Sequence, residues 1–210
     1  MQANYKNCIE RIINKYEGGY GWDAADPGGP TKYGITCYDL AEHRHQRMNS
    51  MSAWAPLVRA MTLQEAEDIY ATKYAKQCRF NDLNSGPDCV ILDFGINSGS
   101  SRAIKYAQAV VGTAQDGILG PITLAAINKM DPNRFIDVYC DKRLAFLRAL
   151  RTWSTFGRGW SNRVADLRAY SHNVAGKQAP VAMPLPLPSG KAVPAAAPSF
   201  WQRLKGMIVS

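Results

Sequence analysis

The sequence predicts a mainly α-helical fold, broken near its N-terminus by one glycine-rich loop or short β-hairpin. Three observations predict it. Apolar residues recur at i, i+3, i+4 spacing in segment after segment, beginning with Tyr5, Cys8, Ile9, Ile12, Ile13 and Tyr16. Helix-start chemistry precedes several of these segments: Thr62-Leu63-Gln64-Glu65 reads as a capping box, and Asp131-Pro132 as an N-cap followed by a proline at the first helical position. Six of the seventeen glycines fall between Gly18 and Gly34, which concentrates turn chemistry in one stretch.

The first helix runs from Tyr5 to Glu17 and must stop there, because paired glycines at 18 and 19 favour a C-terminal cap. Tyr20 to Thr36 is the loop or hairpin. Thr36 opens a helix to about Arg47, with Asp39 as its capping partner. The Thr62 box opens another to about Ala75, whose apolar side uses Leu63, Ala66, Ile69, Tyr70 and Tyr74. Further helices are expected at 88–97, 101–111, 121–129, 132–150 and 158–174, and the folded body should end near Ala175. Residues 176–199 form a Pro/Ala-rich linker. In the tail, 200–210, Phe200, Leu204, Met207 and Ile208 share one helical side. That pattern suits a membrane surface, or else a weakly docked tail, since about eleven residues are marginal for a helix in water.

With 20% charged and 46% apolar residues the chain cannot be wholly disordered, and no apolar run approaches the roughly 20 residues of a membrane span. A net charge of +8 implies an anionic partner: nucleic acid, an anionic membrane face or an acidic polymer such as a bacterial wall. No nucleic-acid-binding motif accompanies the charge, so nucleic acid is not expected. Met1 to Lys6 is polar and contains no signal-peptide core, which implies synthesis in a cytoplasm without a Sec address. Five cysteines, odd in number and without CxxC pairing, read as reduced structural thiols. His43 and His45 lie on a charged, solvated stretch and His172 stands alone, so neither a metal site, a cofactor nor a Ser/Cys–His nucleophile is expected.

The chemistry concentrates between Glu17 and Thr36. Glu17 ends a helix, Asp26 follows nine residues later on the glycine-rich loop, and Thr31 comes shortly after. Taken singly, these are ordinary cap and turn residues. Together they supply a proton donor, a second carboxylate and a hydroxyl to hold water, the parts that glycosidic cleavage needs. The partial negative charge at a helix C-terminus and water exclusion by Tyr16, Tyr20 and Trp22 both disfavour an ionised Glu17, as a general acid requires. Asp26, beside the amides of Gly28 and Gly29, should stay ionised. Tyr20, Trp22 and Tyr33 are loop aromatics with no helical stripe to explain them, which suits stacking on sugar faces. Asp93 and Asn97, one turn apart, either line a cleft opposite Glu17 or fix the loop that follows them. Trp153 and Trp160, flanking Gly157-Arg158-Gly159, read as packing residues.

Glu17-Gly18-Gly19-Tyr20 followed by Asp26-Pro27-Gly28-Gly29-Pro30-Thr31-Lys32-Tyr33-Gly34-Ile35-Thr36 resembles the signature of glycoside hydrolase family 108, the N-acetylmuramidases of phage endolysins and bacterial secretion-activator proteins. The resemblance continues through Asp68-Ile69-Tyr70 and Leu92 to Gly99. Gln115 to Pro121 fits the peptidoglycan-binding half that accompanies the family, so about residues 5 to 175 are covered. It implies a lysozyme-like body of two lobes: a catalytic lobe over 1–86 and a helical, peptidoglycan-binding-like lobe over 87–175. It also implies Glu17 as catalytic acid. The Glu, Asp, Thr triad of phage-type lysozymes is similar, with Asp26 at the same spacing from Glu17 and Thr31 one residue closer to Asp26 than in that triad; Thr36 is the competing hydroxyl. The implied activity is a lysozyme-type cleavage of the β-1,4 bond between N-acetylmuramic acid and N-acetylglucosamine by a monomer, in phage or prophage lysis. A secretion-associated wall-remodelling protein and a non-catalytic peptidoglycan binder are the alternatives. A retaining and an inverting course remain equally open.

Overall fold

The computed structural model describes residues 4–22 and 28–176. The expected linker beyond Gly176, the tail at 200–210, and Asp26 lie outside the described residues.

Helix α1, Tyr5–Ile12, buries Tyr5, Cys8, Ile9 and Ile12, the stripe its spacing predicts. It then widens into one π-helical turn, Ile13–Glu17, and stops at Gly18, whose φ of 67° is the left-handed conformation that a glycine stop supplies. The glycine-rich block folds into a hairpin. Strands β1 (Thr31–Lys32) and β2 (Ile35–Thr36) pair antiparallel, Thr31 opposite Thr36 and Lys32 opposite Ile35. Between them Tyr33 and Gly34 both have positive φ, 53° and 75°, the condition for a two-residue turn whose twist matches its strands. The hairpin is sewn to the chain leaving Glu17. Gly21 exchanges both backbone hydrogen bonds with Thr31 at 2.9 Å, and the Tyr33 amide donates to the Gly18 carbonyl at 3.2 Å.

Thr36 caps α2 (Cys37–His43) in a reciprocal box with Asp39, as its sequence predicts. The helix ends four residues short of Arg47, and His45 turns the chain with a φ of 53°. Helix α3, Met51–Ala60, was not anticipated: Ser50 caps it and Trp54, Ala55 and Val58 bury its inner side despite Pro56 within it. Thr62 caps α4 (Leu63–Tyr70), which, like α1, passes into a π-helical turn, here Ala71–Ala75. The remaining helices are α5 (Pro87–Ser98), α6 (Ser100–Val111), α7 (Pro121–Lys129), α8 (Pro132–Arg148, capped by Asp131) and α9 (Trp153–Ala175). Helix α9 begins five residues earlier than predicted, because Gly157-Arg158-Gly159 continues the helix instead of breaking it. A Cβ at Gly157 would lie 2.6 Å from the Trp153 ring, so the glycine there makes room for an aromatic one turn back. Trp160 is buried and Trp153 packs beside it, with ring centroids 6.2 Å apart.

Two hydrophobic clusters result. The first gathers α1, α2, α3, α4 and the hairpin; the second gathers α6, α7, α8 and α9. Helix α5 belongs to both, since every one of its residues is buried. Cys89, Leu92 and Ile96 face the first cluster, whereas Val90, Ile91 and Phe94 face the second. All five cysteines are buried and unbridged. Among the described residues no helix is long and apolar enough to cross a membrane, and no group of His, Cys, Asp and Glu could hold a metal ion.

Candidate active site

The widened turn that ends α1 places Tyr16 and Glu17 against α9. Glu17 has a half-exposed backbone, but its side chain is only 1% exposed. Its two oxygens face different neighbours. Arg163 of α9 donates from Nη2 to Glu17 Oε1 at 2.8 Å. Oε2 lies on the hairpin side, where a Cβ built on Gly34 would come within 2.6 Å of it and 2.5 Å of the Tyr70 hydroxyl. Tyr70, at the end of α4, donates that hydroxyl to the Tyr33 carbonyl at 2.8 Å and so ties the hairpin turn to the body.

Arg163 is held mainly from behind. Its Nε and Nη2 donate to Asp93 of α5 at 3.0 and 2.7 Å, and Arg143 of α8 donates from Nη1 to the other Asp93 oxygen at 2.6 Å. Both arginines and Asp93 are buried, so Glu17, Arg163, Asp93 and Arg143 form a row of alternating charge through the interior. Charges taken out of water need such partners. Burial alone would raise the Asp93 carboxyl and lower the Arg163 guanidinium. The two guanidiniums outweigh it for Asp93, which sits below its usual range, and the two carboxylates outweigh it for Arg163, which sits well above.

A second contact locks the same two helices one turn along. The Arg163 guanidinium lies over the Tyr16 ring, 4.5 Å from its centroid, and the Tyr16 hydroxyl donates to Asp166. Asp166 also accepts from Arg11 Nε at 3.1 Å and Lys15 Nζ at 2.8 Å, and is lowered to about 2 because these hydrogen bonds overcome its partial burial. The surroundings expected of Glu17 were aromatic and helix-terminal. Those are present in Tyr16 and in the end of α1, but a buried cation was not foreseen.

The other predicted site residues separate into three groups. Thr31 sits in β1 beside Gly21, four residues past Glu17, and donates to the Gly29 carbonyl at 3.2 Å. Thr36 is a cap. The aromatics are at the surface side of the hairpin: Trp22 is exposed, Tyr20 is half-buried under the Arg59 guanidinium at 4.4 Å, and Tyr33 is half-buried with Lys32 Nζ 4.9 Å from its ring. Asp93 and Asn97, read either as cleft residues or as fixing the loop that follows them, are interior. Asp93 binds the two arginines, and Asn97 accepts from the Ser98 hydroxyl at 2.9 Å.

Glu17 and the Arg163 that binds it thus come from opposite halves of the chain, and the comparisons with known proteins place them in two different matches. A family model described as Glycosyl hydrolase 108 matches residues 10–99, and one described as Predicted Peptidoglycan domain matches 102–165. Among solved structures, SagA of Brucella abortus is similar, with a TM-score of 0.73 and 38% sequence identity over 83% of this chain and 97% of that one. No curated protein matches. The two family matches support a role in peptidoglycan hydrolysis or binding. Since the similarity to SagA runs through both halves, and Glu17 with its following glycines lies within the first match, the chain belongs to the glycosyl hydrolase 108 family.

Proposed function

We propose that this chain is an N-acetylmuramidase that hydrolyses the β-1,4 bond between N-acetylmuramic acid and N-acetylglucosamine, with Glu17 as its general acid. The observation that carries the reading is a helix-terminal carboxyl whose Oε1 accepts from Arg163 and whose Oε2 is turned toward the hairpin. As the glycosidic C–O bond breaks, its electron pair stays on the leaving oxygen, which takes the Glu17 proton. An oxocarbenium-like centre develops at the sugar carbon, and water adds there and releases a proton. Asp26 either stabilises that centre or activates the water, and Thr31 orients the water. Tyr20, Trp22 and Tyr33 provide stacking faces.

The test is release of new reducing ends from purified sacculi, with the fragments weighed by mass spectrometry. Glu17→Gln should lower the rate by about 10²- to 10⁴-fold, the usual contribution of a general acid. Parental activity in that variant would remove Glu17 from the role, and intact glycan with freed peptide stems would mean an amidase or endopeptidase. One observation favours a binding-only protein: the Glu17 side chain is nearly covered. That reading predicts co-sedimentation with sacculi and no reducing ends from the parent protein.

The same activity suits a phage or prophage endolysin that reaches the wall after synthesis in the cytoplasm and acts as a monomer. A secretion-associated wall-remodelling enzyme would have the same chemistry. The sequence pattern of 200–210 supports contact with a membrane surface. Removing residues 177–210 should then leave the rate on isolated sacculi unchanged and reduce lysis of membrane-enclosed cells. Equal loss on both substrates would refute the surface contact.

A further inference from the structure

We infer that Arg59 is a substrate-binding residue that takes a carboxylate on the lactyl-peptide branch of the muramic acid residue; the inference rests on the reading of the chain as a muramidase. Arg59 lies in the last turn of α3 and is exposed, yet it is held at both ends. Lys32 of β1 donates from Nζ to the Arg59 carbonyl at 2.8 Å and to the Met61 carbonyl at 2.7 Å, so the hairpin closes the end of α3 and fixes the Arg59 backbone. The guanidinium lies over the Tyr20 ring, 4.4 Å from its centroid. Tyr20 is three residues past Glu17, and the chain leaving Glu17 is bound to the hairpin through Gly18 and Gly21. Arg59 therefore stands on the wall formed by that chain and the hairpin, although it comes from a separate helix.

No carboxylate among the described residues pairs with Arg59, whereas Arg44, one helix earlier, holds Glu65 with two hydrogen bonds at 2.7 and 2.9 Å. A ring contact orients a guanidinium without supplying the oxygen acceptors that its five N–H donors seek. Lys32 is engaged by the α3 carbonyls, so of the two cations on this wall Arg59 is the one open to an anionic ligand. The chemistry of the substrate supplies one. Muramic acid differs from glucosamine by a lactyl ether, and that branch bears the carboxylates of the strand. They are the lactyl carboxylate itself where the peptide is absent, and those of the peptide stem where the lactyl group is amide-linked to it. A planar fork fits a carboxylate with two parallel hydrogen bonds, and a fork already held by a ring has little freedom left to lose on binding. The branch does not react. A contact with it strengthens ground state and transition state alike, so its mark falls on KM and not on kcat.

Arg59→Gln, made in the full-length chain, tests this on three materials: intact sacculi, glycan strands stripped of peptide by an amidase, and sacculi whose carboxylates are blocked as methylamides. Apparent KM should rise roughly threefold or more, as for a solvent-exposed carboxylate pair, with kcat within about twofold of the parent. The rise falls on intact sacculi if stem carboxylates bind, and on stripped strands if the lactyl carboxylate does. On blocked sacculi the variant should match the parent, which a variant that merely loosened the Tyr20 wall would not do. A smaller rise on both charged materials, or an equal rise on the blocked one, would overturn the proposal. Should Arg59→Gln not fold, Arg59→Met carries the same comparison. Failure of the muramidase reading shows separately, as a parent that releases no reducing ends from any of the three. Apparent Kd from co-sedimentation with intact and blocked sacculi then replaces KM, and the same rise, or its absence, decides.

Discussion

Gly34 has less latitude than the glycines that follow Glu17, Gly18, Gly19 and Gly21, which have open space around them. Its φ of 75° is left-handed, and an added Cβ would press on both the Tyr70 hydroxyl and Glu17 Oε2. Gly34→Ala should therefore destabilise the protein by about 2–4 kcal/mol in denaturant unfolding, and should also lower the rate per folded molecule at least tenfold. Gly157→Ala, whose Cβ would press first on the Trp153 ring, serves as the comparison: a loss of stability with the rate retained. A Gly34→Ala variant matching it in rate would show that Oε2 is not held by that contact. Glu17 was legible in the sequence because its neighbours in the chain announce it: a helix stripe, two glycines and a dense loop. Arg163 was not, since its partner is 146 positions away. A signal did exist. Asp93 interrupts the run Val90, Ile91, Phe94; Arg143 falls on the stripe of Ile136, Tyr139 and Leu147; Arg163 falls on that of Trp160, Val164 and Leu167. Charges of both signs on apolar stripes have to find one another in the interior.

Helix α5 shows the same logic along its length, because a helix buried on all sides must satisfy every polar group it carries. At its start, Asp88 accepts from the amides of Gly86 and Cys89 at 2.8 and 2.7 Å, and from Asn4 Nδ2 at 2.6 Å. Burial nevertheless pushes its carboxyl up to about 6. With an unfolded value near 4, the folded state binds the proton more tightly, so its contribution is full below about pH 4 and is lost as pH rises through 6, by about 3 kcal/mol. Asp88→Asn should remove that slope: urea titrations from pH 4 to 6 should show the parent weakening and the variant level. The Asn4 amide needs only to turn over to meet the new side chain, offering its Oδ1, which has no hydrogen-bond partner in the parent. Identical slopes would mean that another group titrates. Capped elements such as α2, α4 and α8 were legible because Thr36, Thr62 and Asp131 make the hydrogen bonds their positions predict. Helix α3 escaped because Pro56 lies within it, although Ser50, which accepts from the Ala53 amide, marked its start. The two π-helical turns, which carry Tyr16, Glu17 and Tyr74, leave no mark in the sequence.

Across the fold, the two hydrophobic clusters of the described residues share one helix and a row of buried charge. They should melt together. Scanning calorimetry of the full chain is expected to give one transition with equal calorimetric and van't Hoff enthalpies, whereas two separable transitions would mean that α5 stays with only one side. The mainly α class and the single hairpin were legible from periodicity and glycine placement, but the sharing of α5 was not, because a continuous apolar run says that a helix is buried and not between what. The shared helix also bears on how such a chain can be recombined. The two family matches meet at about residue 100, which looks like a natural joint for exchanging one half with that of another protein. A chimera cut there would inherit Asp93 without Arg143 or Arg163, an orphaned interior anion that typically destabilises a fold by about 3–5 kcal/mol. In this chain the halves can be exchanged only together with a partner that supplies both arginines to the carboxylate they neutralise.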